Sequence, residues 1–565
     1  MRKILLLAAG VFVSLSLTAQ WNTDPSTNTA ICSTPPTQQA RTGTVVTPDG
    51  FGAMFIAWVD ARATGTGDSI YIQKVDLTNS QYFDEDGKFV VSSPSAISNL
   101  TISPDGVGGV LLAWQSNNDI FGMRVASNGT NVWPAPVPLS KTITSNQTVP
   151  IIAIVSFTEA MVAFNDNRNG NVDLYLNKID ISTGNLLLTT DTPICKSTGA
   201  QNQHSVFPDQ NGGLYISWSD GRGANIDLYA LRVKSDGLPE TGWTTDGTVI
   251  CNATGTQSNS LIITDNAGGV YVAWEDFRSG NTDVYAQRIS GAGAVQWTAN
   301  GALVCNAANN QQLPQLLPRT DGLILTWTDA REATSNRNIY AQKLLAADGS
   351  AAWTANGVVV CDAADQQPSG TTAGLKIVPD ATNGAIIVWN DQRNGGTNRD
   401  VYAQRINSSG AVQWAANGIA VSTATGNQGP DLGVVPITIT NGAFIVWQDS
   451  RSSVTNGEIY GAVVNGSGNL VASARNREVL EGKIKAYPVP ASREIYVSLS
   501  KVKPGAYTIQ VMDVSGRVVL QQRTAISGTE GLIETKVEQL QNGVYFIKLI
   551  HESSRAESIL RFTKQ

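Results

Sequence analysis

The residues of this chain that could carry acid, base or anion chemistry come as one recurring set, an Asp two places after an aromatic residue and an Arg two places after the Asp. The pairs are Asp60/Arg62, Asp166/Arg168, Asp220/Arg222, Asp276/Arg278, Asp329/Arg331, Asp391/Arg393 and Asp449/Arg451. A carboxylate beside a guanidinium can serve as a general acid or clamp an anion, but catalysis needs one centre that differs from its surroundings. No carboxylate stands out in this way. The seven Asp are therefore read as structural, each accepting turn N–H groups and pairing with its own Arg.

Other catalytic groups are sparse. His204 and His551 are the two histidines, and they are too far apart in sequence to suggest a metal cluster or a Ser/His/Asp triad. Cys32, Cys195, Cys251, Cys305 and Cys361 each follow Ile or Val in the same local frame, as in GALVC and GVVVC, and another repeat has Ser422 in that slot. Equivalent positions in neighbouring repeats should lie beyond the roughly 6 Å between Cα atoms that a disulfide spans. They are expected to be small buried core residues. The Gly runs PDGVGG and DNAGG read as hairpin turns, because no helix follows them to cradle a phosphate. No metal and no cofactor is expected.

The elements that must hold this set repeat as well. The anchors Trp58, Trp114, Phe164, Trp218, Trp274, Trp327, Trp389 and Trp447 are spaced 50 to 62 residues apart, and each precedes a strand with one aromatic residue, Tyr71 through Tyr460. Short apolar runs rich in β-branched residues and bounded by Gly/Asn turns read as antiparallel strands. Four fit in each repeat: a weakly apolar run such as 313–317, the run ending at Trp-x-Asp, the strand with the Tyr, and the strand with the Cys. Such a repeat has the size of a β-propeller blade, and eight would close a ring. The chain enters through Trp21–Cys32, which resembles a fourth-strand half, and leaves after Tyr460 without a fourth strand. Pairing these half-blades would cap two sheet edges at once.

The boundaries expected are 1–19 for a secretory signal, 20–470 for the propeller, 471–482 for a linker and 483–565 for a second domain. The signal has Arg2 and Lys3 before an apolar run that is too short to span a bilayer; no transmembrane segment is expected. The net charge of −7 is uneven: the part before Ala472 is acidic and the part after it basic. An acidic main body argues against nucleic acid as a partner.

With strand, Trp-x-Asp-x-Arg, Asp-(Ile/Val)-Tyr and a turn such as Ser235-Asp236-Gly237 in order, the repeats resemble the blades of sialidase-like propellers with their Asp-box turns. Ser290–Trp297 departs from that box in lacking its Asp. From Tyr487-Pro488-Val-Pro490 the repeat gives way to short alternating strands, which read as a small Ig-like β-sandwich. With Asp513-x-x-Gly516-Arg517, then Asn542-Gly543-x-Tyr545 and a basic last strand, this segment resembles the type A C-terminal sorting domain of the type IX secretion system of Bacteroidetes. The resemblance implies Sec export to the periplasm, then type IX transfer to the cell surface or medium, with the secretion machinery and its sortase as partners.

The fold class expected is thus all-β: an eight-bladed propeller closed by its terminal half-blades, plus the sandwich. The favoured function is binding of an extracellular glycan or protein ligand; a sialidase-like hydrolase and a structural surface-layer component are the alternatives. The ligand face is read from what breaks the symmetry. From anchor to strand aromatic there are 13 residues after Trp58, Trp327, Trp389 and Trp447 but only 7 after Trp114, so one side should stand taller. Two of the tall repeats carry an extra Arg, Arg337 and Arg399, suited to an acidic glycan because a guanidinium holds a carboxylate through two parallel hydrogen bonds. With Arg331 and Arg393 of the same repeats they form the candidate ligand-binding set.

Overall fold

The computed structural model describes residues 21–33, 43–50, 52–62, 67–142, 144–333, 336–364, 374–395, 398–437, 440–452, 457–472, 483–513, 518–552 and 557–565. The signal, most of the linker, and Gly516 and Arg517 of the sorting motif lie outside these residues. Every regular element described is a strand.

Eight four-stranded antiparallel sheets account for the repeats. In the sheet of Trp274 the strands are Gln257–Thr264, Val270–Asp276, Asp283–Ile289 and Ala302–Cys305. The second strand is buried along its whole length, because a sheet packed on both faces needs apolar residues on both. First strands of successive sheets touch one another, and the last, Gln428–Ile437, touches the first, Val45–Pro48, so the eight sheets stand around a common axis with their first strands innermost.

The two ends of this region meet in one sheet. Thr29–Cys32 pairs with Glu458–Val464, placing Thr29 opposite Gly461 and Ala30 opposite Tyr460. One strand from the start completes three from the end, rather than two half-sheets joining. Trp21, fully buried, packs on Phe444 at 5.3 Å and donates its indole N–H to the Leu77 carbonyl at 3.1 Å, so it bridges the last sheet and the first.

The same bridging recurs around the axis. The Trp133 indole donates to the Ile181 carbonyl of the next sheet (2.9 Å), and Trp243 likewise to Gly291 (3.0 Å), Trp297 to Ala346 (3.2 Å) and Trp414 to Gly466 (3.0 Å). A third-strand Arg reaches each of these carbonyls too: Arg124, Arg232, Arg288 and Arg405. Each Arg is also paired with an Asp in its own sheet's first turn, as Arg288 is with Asp265 at 2.8 Å. That Asp accepts the N–H of Ala267 and Gly269, which shapes the turn. Apolar burial and this polar link together join one sheet to the next.

Two sheets of three and four strands make up the C-terminal unit and enclose a core of Ile495, Val497, Tyr507, Ile509, Ile547 and Phe562 among others. Its first strand, Lys483–Tyr487, was not expected. It is an edge strand with alternating exposure and charge, so it lacks the apolar signal of a buried strand.

Trp21→Ala should lower stability by about 3–5 kcal/mol, since it removes a fully buried indole from the joint between first and last sheets. Chemical denaturation read by intrinsic fluorescence measures this; an unchanged midpoint would show that the joint does not hold the ring.

Candidate functional site

The Asp/Arg pairs lie where second strands end and turn into third strands. Asp276 has no exposed surface, and its partners account for that burial. Oδ2 accepts the Trp274 indole N–H at 2.8 Å and Arg278 Nη2 at 2.5 Å; Oδ1 accepts the Arg278 backbone N–H and Nε. Arg278 Nη2 goes on to Cys251 Sγ at 3.1 Å and to the Asn300 carbonyl, and its guanidinium lies 3.8 Å over the Tyr285 ring. The next residue, Gly301 (φ +96°), must be Gly, because a Cβ there would run into the Trp274 indole. One buried charge thus ties together an anchor Trp, a Tyr, a Cys and the turn before the fourth strand.

Asp60, Asp166, Asp220, Asp329, Asp391 and Asp449 are paired in the same way, at 2.5–2.6 Å. Burial acts to raise the Asp220 carboxyl, but the Arg222 and Trp218 hydrogen bonds outweigh it and hold the group below the ordinary carboxylate range. Burial pushes the thiols of Cys195, Cys251, Cys305 and Cys361 up to about 11 or 12, so these cysteines are poor nucleophiles at neutral pH. The described cysteines are buried and none is in a disulfide, and several of their sulfurs accept from Arg. His204 is buried and pushed down to about 4, so it is neutral.

The four candidate arginines do not act alike. Arg331 and Arg393 belong to the clamps: each pairs with its Asp, reaches a Cys sulfur and a turn carbonyl, and covers a Tyr ring at 3.6 and 3.9 Å. Arg337 and Arg399 are half-buried on the second-to-third-strand hairpins, and among the described residues neither guanidinium makes an ion pair. Arg337 sits on a hairpin whose strands, Gly322–Ala333 and Asn336–Leu345, run past the usual length and pair Ala333 with Asn336. In the Trp114 repeat the corresponding turn is only Asn117-Asn118, both at positive φ. Loop residues 63–66, 334–335, 396–397 and 453–456, on which the expected taller side depends, lie outside the described residues.

One carboxylate does differ from its equivalents, and the sequence reading missed it. Glu275 fills the middle place of Trp-x-Asp, where other repeats have Asn165, Ser219, Thr328 or Asn390. It is buried, and that burial raises its pKa, against the hydrogen bonds from Leu313 N–H (2.8 Å) and Asn259 (3.1 Å) and the charge of Arg337. The Leu313 amide points at it because the innermost strand bulges there, with Leu313 at φ +57° and a register shift between Gln312 and Gln315. The only signal in the sequence was a Glu in a slot otherwise neutral.

In the C-terminal unit, Asp513 and Tyr545 are buried; the Tyr545 ring stacks on Phe562 at 5.7 Å and its hydroxyl donates to the Gln541 carbonyl. Pro488 and Pro490 follow the edge strand, and Asn542-Gly543 leads into Gly543–His551. Among the described residues no group of three His, Cys, Asp or Glu side chains gathers as a metal site would require. No helix among them is long and apolar enough to cross a membrane.

If the clamps are structural, Arg278→Ala should cost on the order of 3 kcal/mol, because it leaves Asp276 buried without its counter-charge. Thermal unfolding measures the loss. Undiminished stability together with lost ligand binding would move the clamp from scaffold to site.

No curated protein sequence matches the chain. Among solved structures, PorZ, a surface component of the type IX secretion system of Porphyromonas gingivalis, aligns over 93% of this chain and 82% of its own at 10% identity, with a TM-score of 0.24. The polysaccharide lyase Uly1 aligns over 65% and 89% at 9% identity and TM-score 0.39, and the Hadza microbial sialidase Hz136 over 66% and 75% at 11% and 0.31. Residues 485–560 match the secretion system C-terminal sorting domain, which directs the protein by type IX secretion to the cell surface or extracellular space.

Proposed function

We propose that the chain is an exported eight-bladed β-propeller that binds an acidic glycan or a surface partner on its second-to-third-strand hairpin face, and that its Ig-like tail serves only in delivery. The closed ring of eight sheets supports the architecture. The observation that carries the ligand reading is the division among the arginines. Seven are used in clamps, whereas among the described residues the Arg337 and Arg399 guanidinium groups make no ion pair, Arg337 acting on Glu275 only through its charge. A planar cation free to make two parallel hydrogen bonds suits a carboxylate. The glycan-cleaving alternative is favoured by Glu275, a buried carboxyl with a raised pKa. Against it, Leu313 and Asn259 already hold that carboxyl as a tie between neighbouring innermost strands.

Replacing Arg337 and Arg399 by Ala, with the fold intact by circular dichroism, should weaken binding to acidic glycans about tenfold or more and leave neutral glycans unaffected. Equal binding of both classes by wild type and variant on a glycan array would end this reading. Removal of residues 483–565 should leave a folded propeller in the periplasm, followed by cell fractionation; normal surface display of the truncated chain would contradict the division of labour between ring and tail.

A further inference from the structure

The ring's innermost wall carries a lysine at a place where its repeat equivalents are uncharged. On each first strand one residue lies opposite the residue that precedes the anchor aromatic, which gives eight equivalent places. Seven are uncharged, including Val45, Ile151 and Leu261, and the eighth is Lys376, opposite Val388. The place lies toward the hairpin end of the wall, since three residues beyond Val388 the paired strand reaches the clamp carboxylate Asp391.

Lys376 is half-buried on this wall. Burial pushes its ammonium below the ordinary lysine value, with the Asp431 carboxylate on the next first strand opposing. Among the described residues its ammonium makes no ion pair or hydrogen bond. The Asp431 carboxylate accepts the Gly43 N–H at 2.7 Å. Buried lysines on third strands are matched: Lys74 pairs with Asp49 at 2.9 Å and Lys343 with Asp321 at 2.6 Å. A partly desolvated cation whose nearest carboxylate is not in ion-pair contact gains from a bound anion.

We propose that Lys376 is the anion anchor of an axial binding site, holding a carboxylate or sulfate of a ligand whose other contacts lie on the hairpin face. The proposal rests on the reading that this face binds a ligand. It adds a position on the inner wall, on a strand that carries none of the hairpin arginines. It also sets the ligand's orientation, with an acidic group pointing down the axis and the rest of the molecule at the mouth.

The test uses the full chain and oligogalacturonate as the acidic probe, with maltohexaose as the neutral one. Lysine acylation by an acetyl N-hydroxysuccinimide ester is followed by peptide mapping, with Lys485 on the tail as the internal reference. Oligogalacturonate should slow acylation of Lys376 about fivefold or more, as expected for direct pairing with the ammonium. Maltohexaose should not, and Lys485 should be unaffected by either. Lys376→Met should weaken oligogalacturonate binding about tenfold, while Lys376→Arg, which keeps the charge, should retain most of it. If wild type binds oligogalacturonate through Arg337 and Arg399 but Lys376 acylates at an unchanged rate, the anchor is overturned and the hairpin reading stands. If wild type binds no acidic oligosaccharide, the hairpin reading falls, and free galacturonate and sulfate become the probes. Protection of Lys376 by either upholds the anchor; protection by neither overturns it.

Discussion

A carboxylate without exposed surface, held by an indole and a guanidinium, is the interaction on which the rest of this structure depends. A buried Asp is tolerable only if paired and fully hydrogen-bonded. Meeting that requirement fixes the anchor Trp, the Arg that follows, the Tyr beneath the Arg and the turn whose carbonyl the Arg reaches. Because these partners come from the second strand, the third strand and the turn before the fourth, one ion pair sets the register of most of a sheet. At the opposite end of the sheet the Arg288–Asp265 type of pair extends the principle outward: it shapes the first turn and shares a carbonyl of the neighbouring sheet with a second Trp.

This double use of charge explains why the repeated Asp/Arg pairs do not themselves read as a catalytic centre. Groups already saturated by fixed partners cannot take up a proton or bind an anion without loosening the fold. The proposed ligand chemistry therefore falls to residues that depart from the repeat. Arg337 and Arg399 lie outside the clamps on the hairpins, and Glu275 is a carboxylate in a slot that other repeats leave neutral.

Much of the fold was legible in the sequence because its strands are short, apolar and bounded by turns whose residues have one purpose. Asp283–Ile289 and Ala302–Cys305 fall where the alternation and the Cys frame put them. The Trp residues were informative for the same reason: a large side chain recurring in one frame must be buried in one way. What the sequence concealed depends on contacts between distant residues. The pairing of Arg288 with Asp265 and the bulge that aims the Leu313 amide at Glu275 leave no local signature. The edge strand Lys483–Tyr487 was hidden by its own charges. Of the candidate site, the four arginines were proposed from their positions, but which two of them are committed to scaffolding needed the geometry of their partners.

The central claim is that the repeats form one closed ring whose first and last sheets are joined by the strand Thr29–Cys32. Amide hydrogen exchange read by mass spectrometry tests it directly. The account predicts that Thr29–Cys32 exchanges as slowly as its partner Glu458–Val464, because in a closed ring both open only with the whole structure. Rapid exchange of Thr29–Cys32 beside a protected Glu458–Val464 would contradict it.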